Sequence, residues 1–130
     1  MKSDTSDLTG PALDWAVAKC EGIPVTTSGI YRYLGRVNQE LLGYQIYFGS
    51  VAFKPSTKWS QGGPIIEREQ IALNLLFNQA PERLWMASAT GGSHSPSVVQ
   101  YGPTPLIAAM RCYVVSKLGD TADVPEELRS

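Results

Sequence analysis

A chain of 130 residues, 43% of them hydrophobic and 18% charged, is long enough to bury one core and defaults to a single domain. Its 11 basic and 12 acidic residues leave a formal net charge of -1, which supplies no basic field and argues against nonspecific binding to nucleic acid. Scarce surface charge points to a homo-oligomer with further buried surface, and no apolar run has the length that spans a membrane.

The chain opens on polar residues without the apolar stretch of a signal peptide, so residues 1–7 read as a polar tail of a cytoplasmic protein. Thr9-Gly10-Pro11 then starts a helix, with a hydroxyl to cap it and a proline in the first turn, where its missing N–H costs nothing. Gly22 closes it. Leu13, Ala16, Val17 and Cys20 form its apolar stripe, while Trp15 points nearly the opposite way, to be covered by a loop or offered to a partner. Residues 23–29 read as a loop, residues 30–34 and 44–48 as alternating strands, and residues 51–53 as a further short strand. Half of the aromatic residues fall between Tyr31 and Phe53. With few basic residues among them, they suit a sheet face better than a platform for bases.

Small hydroxyls, an indole, two glycines and a proline come together at Ser56-Thr57-Lys58-Trp59-Ser60-Gln61-Gly62-Gly63-Pro64. Such a stretch turns sharply and launches a helix, with Pro64 at the first helical position. Ile65, Ile66, Ala72, Leu73, Leu76 and Phe77 fall on one side of a helix reaching about Asn78, and a strand over residues 70–76 is the competing reading. Residues 84–89 and 97–101 read as strands joined by a Gly/Ser tip. The last helix is capped by Thr104, carries Pro105 in its first turn and stops at Gly119. It is apolar almost all round, which requires burial on most sides. The acidic residues 120–130 read as a solvated tail with a short turn near residues 125–128. The elements sum to an α+β fold: three helices on a small, mainly antiparallel sheet, an α-β-α sandwich-like layout.

Three blocks of the sequence resemble the NinX family of small proteins from lambda-like phages and their prophages. They are Ala12-Leu13-Asp14-Trp15-Ala16-Val17-Ala18-Lys19, then Pro55-Ser56-Thr57-Lys58-Trp59-Ser60-Gln61-Gly62-Gly63-Pro64-Ile65-Ile66-Glu67-Arg68-Glu69, then Tyr101-Gly102-Pro103-Thr104-Pro105-Leu106-Ile107-Ala108-Ala109-Met110-Arg111-Cys112-Tyr113-Val114. The resemblance implies a phage or prophage origin and expression in a bacterial cytoplasm. It brings no catalytic residues with it.

The chemistry-bearing residues divide between structural and functional readings. Glu67 and Glu69 point about 200° apart on a helix, so one centre cannot easily use both, although either could serve a small enzyme. Glu69 and Arg111 each interrupt an apolar stripe, and a buried pair between them explains both, with an anion-seeking Arg111 as the alternative. His94 has no ligand-spaced neighbours, so no metal is expected, and no cofactor motif is present. Cys20 and Cys112 read as reduced core residues.

Two helix beginnings share one grammar, small residues followed by a proline. Were the helices parallel, both starts would open on one cleft able to bind a small anionic, nucleotide-like ligand. Ser56, Thr57, Trp59, Gly62, Gly63, Arg68, Tyr101, Thr104 and Arg111 are its expected lining. Trp59 and Tyr101 would be flat walls and Arg68 a mobile charge. A phage protein with such a cleft could sequester a nucleotide-derived immune signal of its host. The alternative function is a protein-interaction module presenting Trp15 and the aromatics between Tyr31 and Phe53.

Overall fold

The molecule is built on its most apolar helix, α3 (Pro105–Leu118), whose residues from Ala108 to Val114 are all buried. The structure, a computed structural model, describes residues 2–35, 38–77, 79–89 and 97–128. The expected Gly/Ser tip with His94 lies outside the described residues. Helix α3 packs against β6 (Trp85–Ala89) and β7 (Val98–Gly102), which with β5 (Ala72–Leu75) form an antiparallel sheet in the order β5-β6-β7. Helices α1 (Gly10–Glu21) and α2 (Trp59–Glu69) both lie against α3. The far side of α1 meets β3 (Gln39–Phe48), the middle strand of a second antiparallel sheet between β2 (Thr26–Tyr33) and β4 (Val51–Ala52). Leu13 and Val17 from α1, Ile46 from β3 and Met110 and Val114 from α3 fill the core. The fold is a single α+β domain whose antiparallel pairing, among the described residues, is divided among three small sheets rather than gathered in one.

The third sheet corrects both expected tails. Strand β1 (Lys2–Asp4) pairs with β8 (Thr121–Asp123) in antiparallel register, Ser3 opposite Ala122. Thr5 is fully buried, its hydroxyl donating to the Gly119 carbonyl at 3.0 Å, and Ala122, Val124 and Leu128 join the core. The charges concealed inward-facing residues, Thr5 in the first segment and Ala122 and Val124 in alternation in the second.

Helix α2 is a second correction. It starts at Trp59, so Gly62, Gly63 and Pro64 are helical residues rather than a preceding turn. Gly62 sits where the chain passes so closely that an added Cβ would lie 2.4 Å from the Pro55 carbonyl oxygen and 2.7 Å from Leu106 Cδ2. The glycine marks close packing between α2, the loop before it and α3. The helix ends at Glu69, because Gln70 enters the left-handed region (φ 54°) and Ile71 N donates back to the Ile66 carbonyl at 3.1 Å. Such a 6→1 closure stops a helix without glycine when the following apolar residue is buried, as Ile71 is. Residues 72–75 then pair with β6, so the competing strand reading holds from Ala72 to Leu75.

Other expectations stand as read. Thr104 Oγ1 accepts from Ile107 N at 3.1 Å, and Gly22 closes α1 at φ 68°. No helix among the described residues is long and apolar enough to cross a membrane.

Candidate functional site

Helices α2 and α3 run parallel. Gly62 lies against Leu106 near their starts, and Arg68 Nη2 meets the Tyr113 hydroxyl at 3.2 Å about two turns on. Lys117 Nζ lies 3.5 Å from Glu69 Oε1 at the far end. Both N-terminal ends therefore open on one side, into a cleft of about 210 Å³ lined by Ser56, Thr57, Trp59 and residues 104–107. Proline at 105 and the Thr104 cap on Ile107 N leave Leu106 N as the donor at the start of α3, beside Trp59 N and Ser60 N at the start of α2, and each helix adds the positive end of a dipole. Trp59 stands 55% exposed at the rim.

The loop before α2 is held rigidly. Gln61 reaches back to it, accepting from Lys54 N at 2.6 Å and donating to the Ala52 carbonyl at 2.8 Å. Thr57 N and Lys58 N both donate to the Lys54 carbonyl. Ser56 N donates to Asp14 Oδ1 at 2.8 Å, tying the loop to α1. The Ser56 hydroxyl is buried without a hydrogen bond of sound geometry, yet it lies near enough to Asp14 to favour the ionised carboxylate.

Asp14 is the residue that sequence reasoning missed. It is 3% exposed, and burial pushes its carboxyl up from 3.8 to about 7, against the opposing pull of Ser56 and the Lys54 charge. No local signal marks it, because the loop that covers it arrives from 42 residues away. It lines a second concavity, of about 250 Å³, between the start of α1 and the β2–β3–β4 sheet, with Ile30, Tyr44, Ile46, Phe53, Lys54 and Thr57. Thr57 borders both concavities.

The remaining expected site residues lie elsewhere. Gly62 is used in packing, and Gly63 has open space where a Cβ would stand. Arg68 sits nine residues beyond Trp59, about 14 Å along the helix at 1.5 Å per residue, too far to serve the cleft. Its guanidinium instead grips Glu21 through both oxygens, at 3.1 and 2.7 Å, and donates to Glu69 at 2.9 Å. Tyr113 adds a 2.6 Å hydrogen bond to Glu21, closing a network at the far ends of all three helices. Burial works against the ionised Glu21, but the hydrogen bonds from Arg68 and Tyr113 prevail and hold its carboxyl below the ordinary value. The Arg68 hydrogen bond likewise lowers Glu69, which suits an ion pair and not a proton donor near neutral pH.

The expected pairing of Glu69 with Arg111 does not occur. Arg111 is buried, but Nε donates to the Leu8 carbonyl at 2.9 Å and Nη1 to the Tyr101 carbonyl at 2.7 Å. Peptide oxygens satisfy the guanidinium where a carboxylate was anticipated. Tyr101 stacks under Arg83, 4.2 Å from guanidinium carbon to ring centroid, and with Arg111 lines a separate hollow of about 370 Å³. So the structure unites Ser56, Thr57, Trp59 and Thr104, and sets Tyr101 and Arg111 apart from them. Trp15 is half-buried against the core with its Nε1 enclosed, so a neighbouring layer covers it. Cys20 and Cys112 are free thiols, each pushed up to about 11, chiefly by burial.

Among known proteins, the sequence model of the family described as "Bacteriophage P22, NinX" matches residues 4–117. No significant match was found among curated proteins.

Proposed function

The chain belongs to the NinX family of phage proteins, and from that premise we propose that it is a non-catalytic accessory protein that captures a small anionic, nucleotide-like ligand at the paired starts of α2 and α3. One observation carries the reading: two parallel helix beginnings open into a single cleft beside a half-exposed indole. With Arg68 engaged elsewhere, the attraction for an anion comes from the helix ends, each worth roughly 0.3–1 kcal/mol at a surface. Stacking of a planar ring on Trp59 contributes more, about 1–3 kcal/mol. The ring therefore supplies most of the affinity, and the charge sets the orientation. A cleft of about 210 Å³ is smaller than the roughly 300–1,000 Å³ of sites for drug-sized ligands, so it holds one ring with its anionic group. Sequestering a nucleotide-derived signal of host defence is the role in infection that fits such capture.

Titration calorimetry against mono-, di- and cyclic nucleotides tests this directly. Trp59→Ala is expected to weaken binding about tenfold, with the melting midpoint almost unchanged because the indole is half-exposed. Absence of heat from every nucleotide would end the reading.

A second reading draws on the hairpin of β2 and β3. Its outer part exposes Ile30, Tyr31, Leu34, Leu41 and Leu42, beyond a bulge at Ile30/Tyr31. A two-stranded ribbon is marginal in water, and covering by a protein partner or a second copy would stabilise it. Sedimentation of the wild type beside Tyr31→Ser with Leu41→Ser decides whether a second copy does so.

A further inference from the structure

Asp14 poses a question that the architecture leaves open. Its hydrogen bond from Ser56 N is one that asparagine would accept equally well without burying a charge, and the Ser56 hydroxyl and Lys54 are its other polar neighbours. A carboxylate retained there, at a cost to stability above neutral pH, needs another use. It stands in the wall of the 250 Å³ concavity and is the one acid among the described residues that line it. Phe53 and half-buried Tyr44 give it flat apolar walls beside fully buried Ile46, with Gln45 and Thr57 as further polar lining. Lys54 lines the same space and lowers the cost of ionising Asp14.

We propose that this concavity binds a second, neutral planar ring of the ligand, one carrying two adjacent N–H donors as the guanine edge does, with the Asp14 carboxylate accepting both. The inference rests on the proposed capture at the helix starts and deepens it, making the ligand a two-ring, dinucleotide-like molecule. Three observations favour this chemistry. Two adjacent N–H donors match Oδ2 and the lone pair of Oδ1 that the Ser56 N–H leaves over, whereas a uracil edge presents carbonyl oxygens to the carboxylate. A neutral ring avoids the repulsion from Lys54 that a guanidinium or ammonium ligand would meet. Thr57 borders both concavities, so a molecule crossing this exposed loop residue can place one ring against Trp59 and the other against Asp14. Each space by itself is of a size for one ring.

Calorimetry at pH 8, where Asp14 is ionised, with the dinucleotides GpG and UpU, with guanosine and with free arginine, tests the assignment. The wild type is expected to bind GpG at least tenfold tighter than UpU. Asp14→Asn should abolish that preference, because an amide N–H then opposes one of the two guanine donors while it can donate to a uracil carbonyl and strengthen UpU binding. Equal binding of GpG and UpU by the wild type, or a preference that survives in Asp14→Asn, overturns the assignment and leaves anion capture standing. Guanosine binding that needs Asp14, with no gain from the phosphate in GpG, supports the ring site and removes the helix-start reading. Displacement of GpG by arginine would make the concavity a cation site and overturn the proposal, and silence from every nucleotide removes both readings.

Discussion

Replacing Asp14 with asparagine is expected to stabilise the protein at pH 8 and to change little near pH 4. The carboxyl titrates at about 7 in the folded chain, against 3.8 for the free group, because it is buried. Such a group holds its proton more tightly when folded. Its contribution favours folding in full below pH 3.8 and is lost as the pH rises through 7. Roughly three pH units at 1.36 kcal/mol each give a swing of about 4 kcal/mol. Asparagine has no charge to desolvate, and its side-chain oxygen can accept the Ser56 N–H that Asp14 now accepts at 2.8 Å. Glu21 and Glu69, lowered in the folded state, pull the other way on acidification, but they do so in both proteins and cancel in the difference. Urea unfolding followed by tryptophan fluorescence at several values between pH 4.5 and pH 8 measures the gap. It should open steadily with pH and reach a few kcal/mol. A gap that does not vary with pH, or a variant less stable than the wild type at pH 8, would refute the burial argument.

Gly62→Ala is expected to cost about 1–3 kcal/mol by overpacking, since the new Cβ would lie 2.4 Å from a backbone oxygen that cannot swing away; a denaturant midpoint equal to the wild type's would show that α2 can shift freely. Thr104→Ala should cost about 0.5–2 kcal/mol through loss of the cap on Ile107 N, read in the same unfolding experiment, and an unchanged midpoint would mean that the hydroxyl does not cap. Arg111→Met leaves the Leu8 and Tyr101 carbonyls without their donor, about 1–3 kcal/mol for each group left unsatisfied. Glu69→Leu should add to that loss independently, and rescue of one change by the other would restore the pair that the geometry denies.

Local chemistry determined much of the outcome before any packing. A hydroxyl, a proline and a closing glycine fixed both ends of α3 at Thr104, Pro105 and Gly119, and its all-round apolarity dictated a central place. The grammar shared by two helix starts foretold a common cleft, on the condition that the helices ran parallel. Whether they did lay beyond the sequence, because direction depends on how α2 and α3 seat on each other at Gly62 and Leu106. The end of α2 lies beyond the sequence for the same reason. Ala72, Leu73, Leu76 and Phe77 continue a helical period, but pairing with β6 offers residues 72–75 a ladder of hydrogen bonds, and a left-handed Gln70 lets the chain take it. Arg68 and Arg111 carried the right charge for an anion site, yet the fold gave one to Glu21 and Glu69 and the other to two peptide oxygens. Asp14 went the opposite way. In sequence it is one polar residue on an amphipathic helix, and it becomes a buried carboxylate only when the loop carrying Ser56, 42 residues distant, closes over it. Periodicity and capping act over a few residues and can be read along the chain. Burial of a charge and the choice of its partner depend on what arrives from far away, and only the tertiary structure decides them.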